Sequence, residues 1–150
     1  MQLTLCVKRD LHGCIFLNKL LPQLAGHEIS VLLSEKYRPA EGGIAALAEM
    51  AFLERDLPID TLFPLIDSAL AAGQKAGEWL TFNGLQKKYG FSLSTVTDRL
   101  QLAAALENLR PELVISARFS HIFTSAMLVQ VKHGIINIHP AALPSFAGLF

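Results

Sequence analysis

Asn137 and His139 are separated by one residue in the apolar run GIINIHP. On an extended segment, side chains two residues apart project to the same side, so this pair can converge on one small group. An amide NH2 can stabilise a developing oxyanion, and an imidazole can polarise a carbonyl or move a proton. The pair therefore suggests acyl-type transfer. The alternative is that Asn137 bonds to backbone groups of the turn and His139 is a structural hydrogen-bonding residue.

The segment around this pair predicts a rigid corner that faces a ligand. The apolar residues of the run 135–138 predict a buried parallel strand. Open α/β sheets bind ligands at the carboxyl ends of their strands, which is where this strand would deliver the pair. Pro140 and Pro144 fix φ after the strand and disfavour helix at the residues before them.

The rest of the chain alternates short apolar runs with amphipathic segments, which predicts an α/β fold. We expect a Rossmann-like, three-layer open sheet that is mainly parallel, with helices on both faces, and one domain over residues 1–150. The predicted strands cover residues 3–7, 29–33, 93–96, 113–115 and the run after Gly134. Polar residues at positions suited to capping predict helix starts after Asp10, Thr81, Asp98, and Thr124 or Ser125.

Two further helices are predicted between the second and third strands. Apolar residues at helical spacing from Ile44 to Phe52 indicate a helix that ends near Leu57–Pro58, because proline disfavours helix at the preceding residue. Asp60 is then placed to cap a second helix over residues 62–70. The last predicted helix of the chain runs to about Lys132.

Composition limits the function classes. The 150-residue chain has 13 basic and 13 acidic residues, so its formal charge of zero disfavours nucleic-acid binding. It lacks a signal-peptide core and any run long enough to span a membrane, which favours a cytoplasmic protein. Cys6 and Cys14 have no accompanying cysteine pair, so neither a metal site nor a structural disulfide is indicated.

The turn after the first strand, VKRDLHG, contains the single glycine Gly13. It lacks the glycine spacing that lets a dinucleotide pyrophosphate approach the backbone, which disfavours NAD or FAD. Lys8, Arg9 and His12 could face a substrate from this turn. The alternative is two solvated cations and a surface histidine.

The C-terminal segment resembles the signature of the folate-dependent formyltransferases, Asn-x-His-Pro-x-x-Leu-Pro-x-x-x-Gly. The matching residues are Asn137, His139, Pro140, Leu143, Pro144 and Gly148. The segment from Pro111 to Phe123 also resembles the family's preceding strand and folate loop. Together these similarities cover about the last forty residues.

The resemblance implies transfer of a formyl group from 10-formyltetrahydrofolate to an amine, a reaction of one-carbon metabolism and biosynthesis. Asn137 would hydrogen-bond the formyl oxygen, and His139 would stabilise the tetrahedral intermediate and assist proton movement. The amine would attack directly, without a covalent enzyme intermediate. The implied folate-binding residues are Ser120, His121, Phe123, Pro140 and Leu143.

The resemblance also implies an aspartate some thirty residues beyond His139, whereas this sequence has no carboxylate after Glu112. We therefore expect a truncated catalytic domain without its C-terminal strands, and self-association through the exposed sheet edge. The expected acceptor is a small amine such as an amino-sugar nucleotide, in preference to initiator methionyl-tRNA. The alternatives are a formyltetrahydrofolate hydrolase and a non-catalytic folate-binding remnant.

Overall fold

The computed structural model describes residues 1–35, 43–75 and 77–139. These residues form two compact units, each built from segments that are separate in sequence. The first unit contains residues 1–8, 26–35 and 92–139, and the second contains residues 9–25, 43–75 and 77–91. The single domain expected over residues 1–150 stays a prediction.

The first unit contains a five-stranded sheet in which every pairing is parallel. Its strands are β1 (Gln2–Lys8), β2 (Glu28–Ser34), β3 (Ser92–Val96), β4 (Leu113–Ala117) and β5 (Ile135–Ile138). Their order across the sheet is β3-β2-β1-β4-β5. The predicted α/β class with an open, Rossmann-like parallel sheet is therefore confirmed.

Six α-helices lie along the described ranges. They are α1 (Leu11–Leu20), α2 (Ala45–Ala51), α3 (Phe63–Ala71), α4 (Phe82–Tyr89), α5 (Arg99–Leu109) and α6 (Ser125–Leu128). Helices α1 to α4 belong to the second unit, and α5 and α6 belong to the first. Within those ranges, none of the helices has the length and apolarity needed to cross a bilayer.

One buried cluster holds α5 and α6 to the sheet. Leu102 and Leu106 are four residues apart and so lie on one face of α5, where both are almost fully buried. The cluster also contains Met127 of α6 and Val131 in the turn after it. Strands β1 to β4 contribute one residue each, namely Cys6, Leu32, Val96 and Val114. Each fully buried aliphatic side chain of this kind contributes about 1.5–3 kcal/mol.

Four of the five predicted capping positions form their side-chain bonds, and the fifth, Asp60, does not. In each case an oxygen of the capping residue accepts a hydrogen bond from a backbone N–H three residues later, a group that has no partner within the helix. The pairs are Asp10–Gly13 at 2.7 Å, Thr81–Gly84 at 3.0 Å, Asp98–Gln101 at 2.8 Å and Thr124–Met127 at 3.4 Å. Local sequence chemistry thus sets these helix starts.

The helix break predicted at Leu57–Pro58 is wrong. The backbone stays helical from α2 through two π-helical segments, Phe52–Asp56 and Pro58–Leu62, into α3. The N–H of Leu57 bonds to the carbonyl of Phe52, five residues back. The proline ring collides with the carbonyl four residues earlier in a regular α-helix, and the wider π turn gives this ring more room. Asp60 therefore lies inside a continuous helical stretch and caps no helix.

Two expectations near the C-terminus are also corrected. Helix α6 ends at Leu128 rather than near Lys132, and tight turns follow in which Gln130 and Val131 donate to carbonyls three residues back. Strand β5 was expected to be buried, yet three of its four residues are exposed. Among the described residues, β5 lies at one edge of the sheet, a position that an apolar run alone does not reveal.

Candidate functional site at the carboxyl edge of the sheet

Asn137 lies on β5, and His139 follows the last residue of that strand. Asn137 is in register with Ser116 of β4. Ser116 is buried, whereas Asn137 is exposed. Ile135 is two residues earlier and packs against the core cluster, so Asn137 projects from the same face of the sheet. His139 is half-buried. The pair thus lies at the carboxyl end of an edge strand, with the amide open to solvent.

The residues in register with Asn137 on the two neighbouring strands, β4 and β1, are uncharged. Cys6 of β1 is in register with Ser116, which is in register with Asn137. Burial raises the pKa of the Cys6 thiol far above its ordinary value, because a thiolate would lose its hydration there. At neutral pH this residue is therefore a protonated, non-nucleophilic thiol.

The loop after β4 contains the predicted folate-binding residues Ser120, His121 and Phe123. The backbone N–H of Ser120 donates to Oγ of Ser34, the last residue of β2, at 3.0 Å. The His121 imidazole is buried, and its Nε2 lies 3.2 Å from the carbonyl oxygen of Val96, the last residue of β3. Because a carbonyl only accepts, Nε2 must carry the proton of this hydrogen bond.

Three rings follow one another in the same loop. The Phe119 ring meets the His121 ring edge-on, with centroids 5.4 Å apart. It is stacked on Phe123 at 5.7 Å with an interplanar angle of 18°. Both phenylalanines are half-buried against the core cluster, whereas Ile122 between them is 75% exposed. The loop thus combines a packed aromatic pair with an outward-facing aliphatic side chain.

The contacts of this loop show which predicted residues come together. It leaves β4, passes the end of β1 and bonds to the ends of β2 and β3. Neighbouring strands lie about 4.8 Å apart, so the ends of β3 and β5, four spacings apart, are separated by about 19 Å. The His121 imidazole is therefore held far from Asn137. Phe119 lies nearer the start of the loop, just after β4, the strand that pairs with β5.

The other residues predicted from the sequence lie outside the described part of the chain or in the turn after β1. Pro140 and Leu143, predicted to bind the folate, lie outside the described residues. In the turn after β1, Lys8 is half-buried and Arg9 is exposed. Nδ1 of His12 lies 3.6 Å from a carboxylate oxygen of Glu54. In the second unit, Asp10, His12 and Glu54 are the described residues whose grouping could hold a metal ion.

Ser34 is a site residue that sequence reasoning missed. Its hydroxyl is fully buried and anchors the backbone of the loop after β4. A signal was present, since a serine ends an apolar strand at the edge where ligands bind. Nothing in the sequence, however, pairs it with Ser120, which lies 86 residues away.

Comparison with known proteins defines the class to which this fold and site belong. The family model described as formyl transferase matches residues 72–150, just over half of the chain. The chain belongs to this formyl transferase family. The match includes β3, β4, β5 and the loop after β4.

Three curated relatives carry the name methionyl-tRNA formyltransferase. The protein from Acidobacterium capsulatum is 23% identical over 124 residues, which is 83% of this chain and 31% of the relative. That from Alkaliphilus oremlandii is 40% identical over 43 residues, or 29% of this chain and 14% of the relative. That from Halalkalibacterium halodurans is 37% identical over 54 residues, or 34% and 17%. The chain thus spans less than a third of these relatives' length.

Proposed function

We propose that the chain takes part in formyl transfer from 10-formyltetrahydrofolate to a substrate amine, with Asn137 and His139 as its catalytic residues. The observation that carries the proposal is the position of Asn137. In a member of the formyl transferase family, an exposed amide at the carboxyl end of a parallel strand is open to a bound acyl group. The imidazole of His139 supplies a group able to accept and donate a proton.

In this proposal the amine nitrogen attacks the formyl carbon, and the carbonyl electron pair moves onto the oxygen. The Asn137 amide donates a hydrogen bond to that oxyanion and so lowers the barrier. When the intermediate collapses, the bond from the formyl carbon to the folate nitrogen breaks. The amine loses one proton and the folate nitrogen gains one, so His139 can carry this proton without a net change.

Direct attack also agrees with the state of the two cysteines. Burial raises the pKa of Cys14 to about 12, and it raises that of Cys6 as well. Both side chains are therefore protonated at neutral pH and poorly nucleophilic. A covalent formyl-cysteine intermediate finds no support, whereas a transfer through one tetrahedral intermediate needs only the amide and the imidazole.

The contacts of the loop after β4 separate the groups that are already bonded within the protein from those that could contact the folate. The Ser120 N–H and the His121 Nε2 are already bonded within the protein. The Ser120 hydroxyl and the stacked pair Phe119 and Phe123 are then the groups that would meet a flat heteroaromatic ring, the phenylalanines by stacking. In this proposal His121 holds the loop in place.

Two acceptors are supported by separate observations. The names of the three relatives favour the amino group of methionyl-tRNA. The formal charge of zero favours a small amine such as an amino-sugar nucleotide, because tRNA binding gains much of its affinity from positive charge. We place methionyl-tRNA first, because three relatives share that name.

The test is a transfer assay in which the acceptor is varied. The 150-residue chain is first titrated with a formyltetrahydrofolate analogue, and then incubated with formyl-labelled folate and methionyl-tRNA, an amino-sugar nucleotide, or water alone. Label in an acceptor supports transfer, free formate in water alone supports a hydrolase, and binding without turnover supports a binding module. Absence of folate binding at about 1 mM would contradict the proposal.

Variants locate the chemistry. Asn137→Ala and His139→Ala should each reduce turnover by about 100-fold or more, with folate affinity changed much less. His133→Ala is the matched control, because His133 is exposed in the turn before β5. Turnover that survives His139→Ala at the level of this control would remove the proposed role of the imidazole.

A further inference from the structure

The second unit brings one imidazole and two carboxylates together. Asp10, His12 and Glu54 each offer one ligand atom, and these atoms all lie within 4.8 Å of one another. We propose that they form a binding site for Zn²⁺ that is separate from formyl transfer. All three belong to the second unit, whereas Asn137 and His139 belong to the first.

The elements that carry the three residues are held in place without a metal. Asp10 is fully buried as the N-cap of α1, where Oδ1 accepts the N–H of Gly13 at 2.7 Å. This bond fixes the carboxylate on its helix. His12 is in the first turn of α1, and Glu54 is on the π-helical segment Phe52–Asp56, which contacts α1. The site would therefore link the start of α1 to the long helical stretch.

The spacing of two ligand atoms fits a shared metal better than a hydrogen bond. His12 Nδ1 and Glu54 Oε2 are 3.6 Å apart, beyond the 2.7–3.2 Å of ordinary N–H···O bonds. Zinc binds imidazole nitrogen and carboxylate oxygen at about 2.0–2.2 Å, so two ligands at a tetrahedral angle are about 3.4 Å apart. All three ligand atoms lie within 4.8 Å of one another, so each pair is within about 1.5 Å of the spacing that a shared ion requires.

The chemistry of the donor set selects the class of ion. Mg²⁺ and Ca²⁺ prefer oxygen ligands, whereas an imidazole beside two carboxylates suits Zn²⁺. Three protein ligands leave a fourth position for water. The cysteines do not compete, because burial keeps Cys6 and Cys14 in the protonated form, which is a poor metal ligand.

The experiment is calorimetric titration of ZnCl2 into the metal-free chain. His12→Gln and Glu54→Gln should each weaken the wild-type affinity by about tenfold or more, because each removes a ligand. The matched controls, His27→Gln and Glu49→Gln, alter an exposed histidine outside the second unit and an exposed glutamate on α2, and should bind Zn²⁺ like the wild type. Asp10 is left unchanged because its substitution would also remove the cap of α1.

A second measurement keeps the result clear if a variant folds poorly. Co²⁺ added to the wild-type chain should give visible absorption bands of a low-symmetry site, and stoichiometric Zn²⁺ should abolish them. Circular dichroism of each variant shows whether the fold is retained. No binding of Zn²⁺ by the wild type at about 100 µM, or undiminished binding by a folded His12→Gln, would overturn the proposal. Neither result depends on formyl transfer, so the two proposals fail separately.

Discussion

Ser34→Ala tests whether the carboxyl end of β2 positions the loop after β4. The substitution removes the hydroxyl that accepts the Ser120 N–H at 3.0 Å and leaves this N–H without that partner. A neutral hydrogen bond contributes about 0.5–1.5 kcal/mol net, and a donor left unsatisfied in a buried setting costs about 1–3 kcal/mol. Since Ser34 is fully buried, water cannot replace the hydroxyl without rearrangement. We expect the free energy of unfolding to fall by about 1–3 kcal/mol.

The assay is urea unfolding followed by far-UV circular dichroism, combined with folate-analogue titration. Ser30→Ala is the matched control on the same strand, because the Ser30 hydroxyl takes part in an exposed bond with Ser92 at 2.9 Å. An exposed substitution of this kind changes stability by about 0.5 kcal/mol or less. Equal losses in Ser34→Ala and Ser30→Ala would refute the anchoring role, and so would a folate affinity that Ser34→Ala leaves unchanged.

Three other perturbations follow from the same contacts. Leu102→Ala should cost about 2–5 kcal/mol in urea unfolding because it leaves a cavity in the core cluster, whereas the exposed Leu100→Ala should cost little. Asp98→Ala should cost about 1 kcal/mol, because the Gln101 N–H loses its cap, and Asp98→Asn should restore most of it. Burial raises the pKa of Cys14 to about 12, so the stability that this thiol contributes is present below its unfolded pKa and is lost as pH rises from about 9 toward 12. Melting temperatures should show a smaller alkaline decline in Cys14→Ala than in the wild type, and equal declines would contradict the assignment.

The parts of the fold that could be predicted from sequence depend on contacts between near neighbours. A capping oxygen reaches an N–H only three residues away, and four of the five predicted caps form in the structure. Helix α4 ends at Tyr89 because the next residue, Gly90, has a φ of 70°, in the left-handed region that glycine adopts easily, and such a stop depends on one residue. Apolar runs located the five parallel strands for the same reason, since three to five neighbouring side chains define each run.

The predictions that failed concern structural alternatives that residues adjacent in sequence cannot distinguish. Pro58 excludes a regular α-helix at this point. The helix can either end there or continue with wider turns, and the structure shows the wider, π-helical turns. Strand β5 has the apolar composition of a buried strand, and its exposure follows from its place in the strand order. The grouping of His12 with Glu54 also joins residues 42 positions apart, and neither belongs to a recognisable metal-binding spacing.

The same distinction separates the two halves of the candidate site. Asn137 and His139 share an orientation because they are two residues apart at the end of a strand, so the prediction that they act together depends on local geometry alone. The loop after β4 is different, because the partners of Ser120 and His121 depend on which strand ends lie beside β4 in the sheet. The strand order directs His121 toward β3 and away from β5. A loss of folate affinity in Ser34→Ala with the chemistry of Asn137 intact would therefore be the expected sign of a loop that positions the donor without touching the reacting atoms.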